Sequence, residues 1–209
     1  MVGVKASPRV RKVAEADFPT RWGAFRIHAF EGGPANDGKP SPETLVALVM
    51  GDVRSRPPLV RIHSQCLTGD VFGSLRCDCR QQLEMSLSMI AAEGSGVLIY
   101  EQQEGRGIGL AAKLKAYELQ DAGMDTVEAN EKLGFKADQR EFELPGEVLK
   151  ALQLRQVRLL SNNPQKVAAL ERAGVKVVER VPCEVEPHAR SRAYLKTKKE
   201  KLGHLIGNR

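Results

Sequence analysis

The sequence lacks any apolar segment long enough to cross a membrane. A spanning helix needs about 20 consecutive, mostly apolar residues, and no such run occurs among the 209 residues. The first twenty residues also lack the apolar centre of a secretory signal peptide. We therefore expect a cytoplasmic protein without a membrane partner.

Aromatic residues are scarce, and the excess basic charge is confined to the two ends of the chain. One Trp and three Tyr offer few rings for stacking on nucleic-acid bases. The formal net charge is +6, but residues 1–12 and 189–209 together carry +10, so the stretch between them is acidic overall. A nucleic-acid surface usually belongs to a folded face. We therefore expect two solvated basic tails, residues 1–12 and 189–209, and no nucleic-acid partner.

Size and composition favour a single globular domain with its own core, because 42% of the residues are hydrophobic and 28% are charged. Short apolar segments alternate with amphipathic ones, which is typical of α/β proteins. The expected fold class is a single mixed α/β domain in which short strands alternate with helices. Predicted strands cover residues 25–30, 45–50, 59–64, 97–100, 157–160 and 175–179; predicted helices cover residues 80–93, 108–122 and 165–173; and residues 31–42 are a predicted loop.

Three of the four cysteines, Cys66, Cys77 and Cys79, lie within fourteen residues. In a reducing compartment such a cluster indicates a metal site or a reactive centre more often than a disulfide framework, and thiolates favour zinc. If the segment is extended, Cys77 and Cys79 project to the same side and reach one ion. A zinc that also bound His63 would be structural, whereas one without it would be catalytic; the spacing leaves both open. Cys183 has no companion cysteine.

Two segments have the composition of anion sites at helix starts. Residues 101–110 are rich in glycine and include Arg106, a bidentate donor, just before a predicted helix. Ser161 and Lys166 flank the start of another predicted helix, where N-capping by Asn163 would equally explain the sequence. The glycines match neither the Walker loop nor the Rossmann fingerprint, so they do not by themselves indicate a nucleotide.

Three further side chains have both a chemical and an ordinary interpretation. Asp138 and Arg140 would share one side of an extended segment, but this pattern is also typical of exposed ion pairs. Tyr117 lies on the apolar face of its predicted helix, where a core tyrosine would lie. Taken singly, these residues define no function.

Taken together, seven segments resemble the GTP cyclohydrolase II family, from about residue 13 to residue 182. The three-cysteine block combined with the DTVEAN segment is highly specific. The matching segments are RIHSQCLTGD from Arg61, RCDC from Arg76, EGRGIGL from Glu104, AY from Ala116, DTVEAN from Asp125, LGF from Leu133 and RLLSNNP from Arg158.

This resemblance implies a catalytic domain at residues 13–188 with a GTP cyclohydrolase II-like fold. It implies one zinc ion per subunit, held by Cys66, Cys77 and Cys79 with water in the fourth position, and magnesium bound with the triphosphate. GTP would be hydrolysed to 2,5-diamino-6-(5-phosphoribosylamino)pyrimidin-4(3H)-one, formate and pyrophosphate, for riboflavin or a related specialised pathway. The family usually forms homodimers.

The resemblance also assigns roles residue by residue. Asp138 matches the proton acceptor of the family and Tyr117 a tyrosine that assists the ring chemistry. Arg140 matches the residue assigned as nucleophile toward the α-phosphorus, although a protonated guanidinium stabilises phosphoryl charge more readily than it attacks. The positions matching GTP contacts are Arg61, Ile62, His63, Ser64, Gln65, Gln82, Glu104, Gly105, Arg106, Thr126, Ser161 and Lys166.

Three positions depart from the usual pattern of the family. Gln65 replaces a glutamate, Arg80 a glycine and Ser161 a threonine, so that the metal region gains positive charge, which would alter magnesium affinity or the acidity of the zinc-bound water. Alternative functions are a relative that opens the ring but retains the formyl group, an inactive nucleotide-binding homologue, and a zinc-stabilised nucleic-acid module. The presence of Tyr117 argues against the first.

Overall fold

A seven-stranded mixed sheet forms the centre of the protein. The computed structural model describes residues 9–33, 43–186, 188–205 and 207. The sheet order is β1-β2-β3-β5-β4-β6-β7; the pairs from β1 to β5 are antiparallel, and those from β5 to β7 are parallel. The strands are β1 (Arg9–Thr20), β2 (Gly23–Gly33), β3 (Glu43–Met50), β4 (Leu59–Ser64), β5 (Gly96–Glu101), β6 (Gln156–Leu160) and β7 (Lys176–Val181).

Seven α-helices accompany the sheet in the described part of the chain. Successive side chains of a strand point to opposite faces of the sheet, and the central strands bury both faces. Val97 and Ile99 of β5 belong to one buried cluster and Leu98 to the other. The helices are α1 (Leu67–Asp70), α2 (Cys79–Glu93), α3 (Leu110–Asp121), α4 (Thr126–Lys132), α5 (Glu143–Ala151), α6 (Pro164–Arg172) and α7 (Arg192–Glu200).

The two faces are covered by different helices. Val148 and Leu149 of α5 pack with Leu170 of α6 in the cluster on one face, whereas Leu87 and Ile90 of α2 pack in the cluster on the other. Among the described residues, no helix is long and apolar enough to span a membrane. The mixed α/β class and the six predicted strands are thus confirmed, as are the three predicted helices, within a few residues at each end.

Four expectations about local structure are wrong or incomplete. Residues 9–12 are not a tail but the start of β1, a twelve-residue strand that was not predicted. Residues 31–33 continue β2 rather than beginning a loop, while residues 34–42 lie outside the described residues. Helices α4, α5 and α7 were also not predicted. Residues 192–200 are helical, and Lys198 is buried, so the expected solvated tail is wrong for this segment.

The candidate site lies at the carboxyl edge of the parallel half of the sheet. Strands β4 and β5 end at Ser64 and Glu101, and Ser161 directly follows β6. In open α/β sheets, ligands bind outside the carboxyl ends of the strands. This edge therefore brings together residues that are far apart in the sequence.

Candidate active site

The three clustered cysteines converge at this edge. Their sulfur atoms lie within 4.8 Å of one another, and the Cys66 and Cys77 sulfurs are 3.7 Å apart. Cys66 precedes α1 and Cys79 is the first residue of α2. The segment from Cys77 to Cys79 is not extended as expected, since Asp78 has φ −102° and ψ 9° as the N-cap residue of α2. The start of the helix therefore brings the sulfurs together.

The cluster fits a soft divalent metal ion. Gly69 of α1 leaves space beside it, because a Cβ there would lie 2.8 Å from the Cys77 sulfur and 3.1 Å from that of Cys66. Hydrogen bonds from Cys77 and Cys79 lower the pKa of Cys66 strongly, and the Lys113 ammonium adds to this effect. The hydrogen bond with Cys66 in turn raises the pKa of Cys77 to about 11. A dication would favour the thiolate form of all three.

A partly buried ion pair borders the cysteines. Lys113 Nζ donates to the Cys66 sulfur at 3.2 Å and to Glu104 Oε1 at 2.7 Å. The other Glu104 oxygen accepts from the backbone N–H of Leu67 at 2.6 Å. Glu104 therefore joins the glycine-rich segment to the cysteine loop.

His63 does not belong to the cysteine cluster in the described structure. Its Nε2 atom lies 3.1 Å from both carboxylate oxygens of Asp70, and its ring stacks on Tyr100. Burial lowers the pKa of His63 despite the hydrogen bond to Asp70, which acts in the opposite direction. The imidazole borders a cavity beside the cysteines, an arrangement that favours a metal site open to a small molecule.

Two adjoining cavities contain most of the sequence-predicted site residues. The cavity at the cysteines is also lined by Gln65, Glu104, Gly105, Thr126 and Tyr117. The second is lined by Arg61, His63, Gln82, Ser161 and Lys166. Both are bordered by Ser64, Cys79, Arg106, Arg140 and Tyr194.

Ile62 and Asp138 do not line these two cavities. The Ile62 side chain is fully buried in the core, and its carbonyl oxygen accepts a hydrogen bond from Lys166 Nζ at 2.8 Å. Asp138 borders a third cavity and contacts Arg140, a residue shared by the first two. Ile62 is therefore connected to the site through Lys166, and Asp138 through Arg140.

Asp138 and Arg140 form a partly buried, bidentate ion pair, not the exposed pair that the sequence alone allowed. Arg140 Nε and Nη2 donate to the two Asp138 oxygens at 2.9 and 2.5 Å. Burial alone would raise the pKa of Asp138, but hydrogen bonds and charge from Arg140 lower it overall. Burial opposes the charge on Arg140, yet Asp138 raises its pKa overall. Both groups therefore remain charged.

The two terminal nitrogens of Arg106 are buried and have no hydrogen-bond partner among the described residues. Gly105 and Arg106 both have φ of 62°, a left-handed conformation that is uncommon for a non-glycine residue and clusters at functional sites. The turn directs two unused donors toward the cavities, as an anion site requires.

Helix α6 begins at the second cavity. Asn163 caps it by accepting from the Gln165 N–H at 2.9 Å, so the N-capping interpretation is correct. Lys166 also reaches inward, with Nζ 3.4 Å from Ser64 Oγ and 4.0 Å from Glu101 Oε1. Burial lowers the pKa of Lys166 to about 7.

Tyr117 is directed to the cysteine cavity and not to the core. Its hydroxyl lies 3.2 Å from Thr68 Oγ1, and its ring borders the same space as the three sulfurs. Arg76 lies over the ring, with Cζ 4.7 Å from the centroid. Burial raises the pKa of the phenol, so it is a neutral hydrogen-bond donor at neutral pH.

Comparison with known proteins identifies the family of the chain. Residues 11–182 match the family model described as GTP cyclohydrolase II. The chain belongs to the GTP cyclohydrolase II family.

Curated relatives fall into two groups by length. The GTP cyclohydrolase-2 of Buchnera aphidicola subsp. Acyrthosiphon pisum is 53% identical over 195 residues, covering 93% of this chain and 97% of that protein. The GTP cyclohydrolase-2 of Klebsiella pneumoniae subsp. pneumoniae is 50% identical over 202 residues, covering 96% and 98%. The riboflavin biosynthesis protein RibBA of Aquifex aeolicus is 54% identical over 199 residues, covering 94% of this chain but 48% of that protein. The chain thus spans about half the length of RibBA.

The departures from the usual family pattern differ in their surroundings. Gln65 lines the cysteine cavity, so the missing carboxylate is a local change at the site. Arg80 instead pairs with Glu84 on an exposed part of α2, with Nε 3.1 Å from Oε1. Arg80 lines neither of the two cavities, and its effect on the charge at the metal stays a prediction.

Several site residues were not found from the sequence. Glu101, at the end of β5, is fully buried and accepts a hydrogen bond from Ser64, and Lys113 contacts Cys66. The position of Glu101 after a buried strand was an available signal. Tyr194 and Lys198 come from α7, beyond the residues that match the family, and only the tertiary structure brings them to the site.

Proposed function

We propose that this chain hydrolyses GTP to 2,5-diamino-6-(5-phosphoribosylamino)pyrimidin-4(3H)-one, formate and pyrophosphate. The observation that carries the proposal is the opening of the three-cysteine cluster onto a cavity that adjoins a second, cationic cavity. A purine ring and a triphosphate need these two environments side by side. The family of the chain supports the same activity, as do the names of the relatives that it covers almost completely.

Zinc is the metal proposed for Cys66, Cys77 and Cys79, because three thiolates are soft ligands and Gly69 leaves room beside the sulfurs. Bound there, zinc would lower the pKa of a water molecule toward 7 and so provide a nucleophile at neutral pH. Magnesium bound with the triphosphate is part of the same proposal.

The cysteine cavity is proposed to hold the guanine ring. Tyr117 would donate a hydrogen bond from its neutral phenol to the opening ring, while Glu104 and Lys113 fix the wall beside Cys66. Gln65 and Thr126 complete this wall. The presence of Tyr117 beside the sulfurs favours full release of formate over retention of the formyl group.

The second cavity is proposed to hold the phosphates. Lys166 and Arg61 supply positive charge from α6 and β4, and Ser161 supplies a hydroxyl near the start of α6. Arg106 adds two donors that have no described protein partner. Electrostatic stabilisation of phosphoryl charge by such preorganised donors is a large catalytic effect.

Arg140 is proposed to stabilise phosphoryl charge and not to attack phosphorus. Its raised pKa keeps the guanidinium protonated, and a protonated guanidinium has no free lone pair with which to attack. Asp138, with its lowered pKa, is ionised and therefore able to accept a proton. The pair thus supplies a cation directed into both cavities and an adjacent base.

A product assay tests the proposed function. The zinc-loaded protein is incubated with GTP and magnesium, and formate and pyrophosphate are quantified; we expect equal amounts of both. Cys77→Ser should abolish formate, whereas the matched control Cys183→Ala, which alters a buried cysteine outside the cluster, should retain it.

Other product patterns would contradict the proposal in distinct ways. Pyrophosphate without formate would indicate that the ring chemistry stops early, and binding of GTP without any product would indicate an inactive homologue. Salt-sensitive binding to duplex DNA, with no turnover, would favour the nucleic-acid module instead.

Three further expectations belong to this proposal. The protein is proposed to be a homodimer, to lie in the cytoplasm and to act in riboflavin biosynthesis or a related specialised pathway. The catalytic domain is proposed to contain residues 13–188 together with the rest of β1 and helix α7. Identification of the neighbouring genes would distinguish the pathways.

A further inference from the structure

Helix α7 lies outside residues 11–182, the part of the chain that matches the family model. Its composition is strongly basic, and a basic helix of this kind usually lies in solvent. Lys198 is nevertheless only 8% exposed, and Tyr194 lines both active-site cavities. The helix therefore turns part of its polar face toward the site.

Lys198 contacts the residue between two cysteines of the cluster. Its Nζ atom donates to Asp78 Oδ1 at 2.8 Å. Asp78 is the N-cap residue of α2, and Cys77 and Cys79 are its chain neighbours. A displacement of the Asp78 carboxylate would therefore move the backbone that carries two of the three sulfurs.

A chain of hydrogen bonds continues from Asp78 into the second cavity. Asp78 Oδ2 accepts from Gln82 Nε2 at 2.5 Å, and Gln82 Oε1 accepts from Arg61 Nη2 at 2.7 Å. Arg61 Nη1 donates in turn to the Leu160 carbonyl at 3.1 Å. One lysine of α7 is thus connected to both the cysteine loop and a cation of the proposed phosphate cavity.

The helix is held in place at its carboxyl end. Lys201 Nζ contacts Asp125 Oδ2 and lies 3.2 Å from Glu128 Oε1, at the start of α4. The backbone N–H of Leu205 donates to the carbonyl of Asn162 at 2.8 Å. These contacts fix the direction from which Lys198 approaches Asp78.

The Tyr194 ring lies between two cations of the site. Lys198 Nζ is 4.5 Å from its centroid, and Arg106 Cζ is 5.4 Å away. Cation–π contacts at these distances are attractive, so α7 also contacts the Arg106 guanidinium.

We propose that Lys198 is a positioning residue of the active site, which orients the metal loop and Arg61 through its ion pair with Asp78. A buried ion pair is weak evidence for stability, because desolvation offsets its attraction, whereas it can fix the position of the groups that it joins. Residues that orient metal ligands in this way typically change metal affinity or activity 10- to 100-fold when replaced. The proposal rests on the function proposed above.

The test compares zinc affinity in Lys198→Met, Lys198→Arg and the control Lys196→Met. Lys196 is on the same helix with an exposed side chain, so its replacement removes the same charge without touching Asp78. Competition with a zinc chelator should show affinity reduced about tenfold or more in Lys198→Met, less in Lys198→Arg, and unchanged in Lys196→Met. At saturating zinc, KM for GTP should remain about tenfold higher in Lys198→Met, because Arg61 has lost its support.

A second variant covers the possibility that Lys198→Met unfolds through its unpaired buried carboxylate. The double variant Lys198→Met/Asp78→Asn removes both charges, and we expect the same loss of zinc affinity as in Asp78→Asn alone. Wild-type affinity in Lys198→Met or in the folded double variant would overturn the proposal, as would an equal loss in Lys196→Met. If the wild-type protein forms no formate from GTP, the proposed function fails, but the zinc comparison still decides the role of Lys198.

Discussion

Gly69 is important for the site because a side chain at this position would collide with the cysteine sulfurs. Two sulfurs of the cluster occupy the space that a Cβ would fill, at 2.8 and 3.1 Å from its ideal position. Real Cβ atoms do not approach sulfur so closely, so a larger residue must displace Cys77 or Cys66. The position therefore couples helix α1 directly to the arrangement of the ligands.

We predict that Gly69→Ala weakens zinc binding by at least about tenfold, by analogy with other changes that disturb metal ligands. Helix propensity alone would favour alanine by roughly 1 kcal/mol, so loss of zinc would not reflect a weaker helix. Metal content after dialysis, with thermal unfolding as a control for folding, measures both effects. Full retention of zinc would show that the sulfurs are not held in this arrangement.

The lowered pKa of Lys166 makes the free energy of unfolding depend on pH. Burial lowers its pKa to about 7, whereas the unfolded chain keeps a value near 10.4. The unfolded chain therefore binds the proton more tightly, and the free energy of unfolding rises as the pH increases between these values. The unfavourable contribution of Lys166 to stability is complete below about pH 7 and is lost towards pH 10.4.

Relative to the wild type, Lys166→Met should therefore be more stable at pH 6 than at pH 9. We expect the difference in unfolding free energy between variant and wild type to shift by about 1–3 kcal/mol in favour of the variant at the lower pH. Urea unfolding of both proteins at the two pH values measures it. A shift of the opposite sign, or none, would contradict a buried ammonium at this position.

At the scale of elements, the contact between α5 and α6 depends on one small residue. A Cβ on Gly146 would lie 2.5 Å from the Ala173 Cβ. These helices cover one face of the sheet, and α6 carries Lys166. The spacing of the two helices therefore also sets the position of a proposed phosphate ligand.

We predict that Gly146→Ala lowers the unfolding free energy by about 1–3 kcal/mol, as overpacking usually does. The double variant Gly146→Ala/Ala173→Gly should recover most of this loss, because it returns the space at the C-cap of α6. Urea unfolding of the two variants provides the comparison. Equal destabilisation in both would show that the helices do not meet at these residues.

The elements predicted from the sequence were those with a clear hydrophobic pattern. Strand β4 consists of the predicted residues 59–64, where Leu59, Val60 and Ile62 provide the apolar signal. Strand β1 was missed because half of its residues are polar and most of those described are exposed. Helix α5 contains Pro145, which its first turn tolerates, and α7 is too polar for an apolar stripe to identify it. Tertiary contacts determine these elements.

The site was predictable in its residues but not in its geometry. The motifs identified the three cysteines, Tyr117 and the Asp138–Arg140 pair, and the structure brings all of them to one edge of the sheet. Sequence spacing could not show that His63 contacts Asp70, or that Arg80 pairs with Glu84. Both outcomes depend on where α1 and α2 begin.

At the scale of the whole molecule, an exposed apolar segment accompanies the site. Val71, Phe72 and Leu75 lie between Cys66 and Cys77, and the Phe72 residue is 74% exposed. Contiguous exposed apolar groups often mark protein interfaces. The proposed homodimer would give this segment a partner.

Light scattering should give a mass of twice the 23.0 kDa of one chain. Phe72→Ser should shift the protein toward the monomer, whereas Val178→Ser, at an exposed apolar residue on β7, should not. A monomeric wild-type protein would contradict the proposed dimer.

The three cysteine sulfurs are proposed to hold a zinc ion that remains accessible to a small molecule. An anomalous difference map at the zinc edge, from crystals of the zinc-loaded protein, tests it most directly. We predict one peak about 2.3 Å from the sulfurs of Cys66, Cys77 and Cys79, with His63 still on Asp70. A His63 nitrogen bound to the zinc, or a peak away from the three sulfurs, would contradict the account.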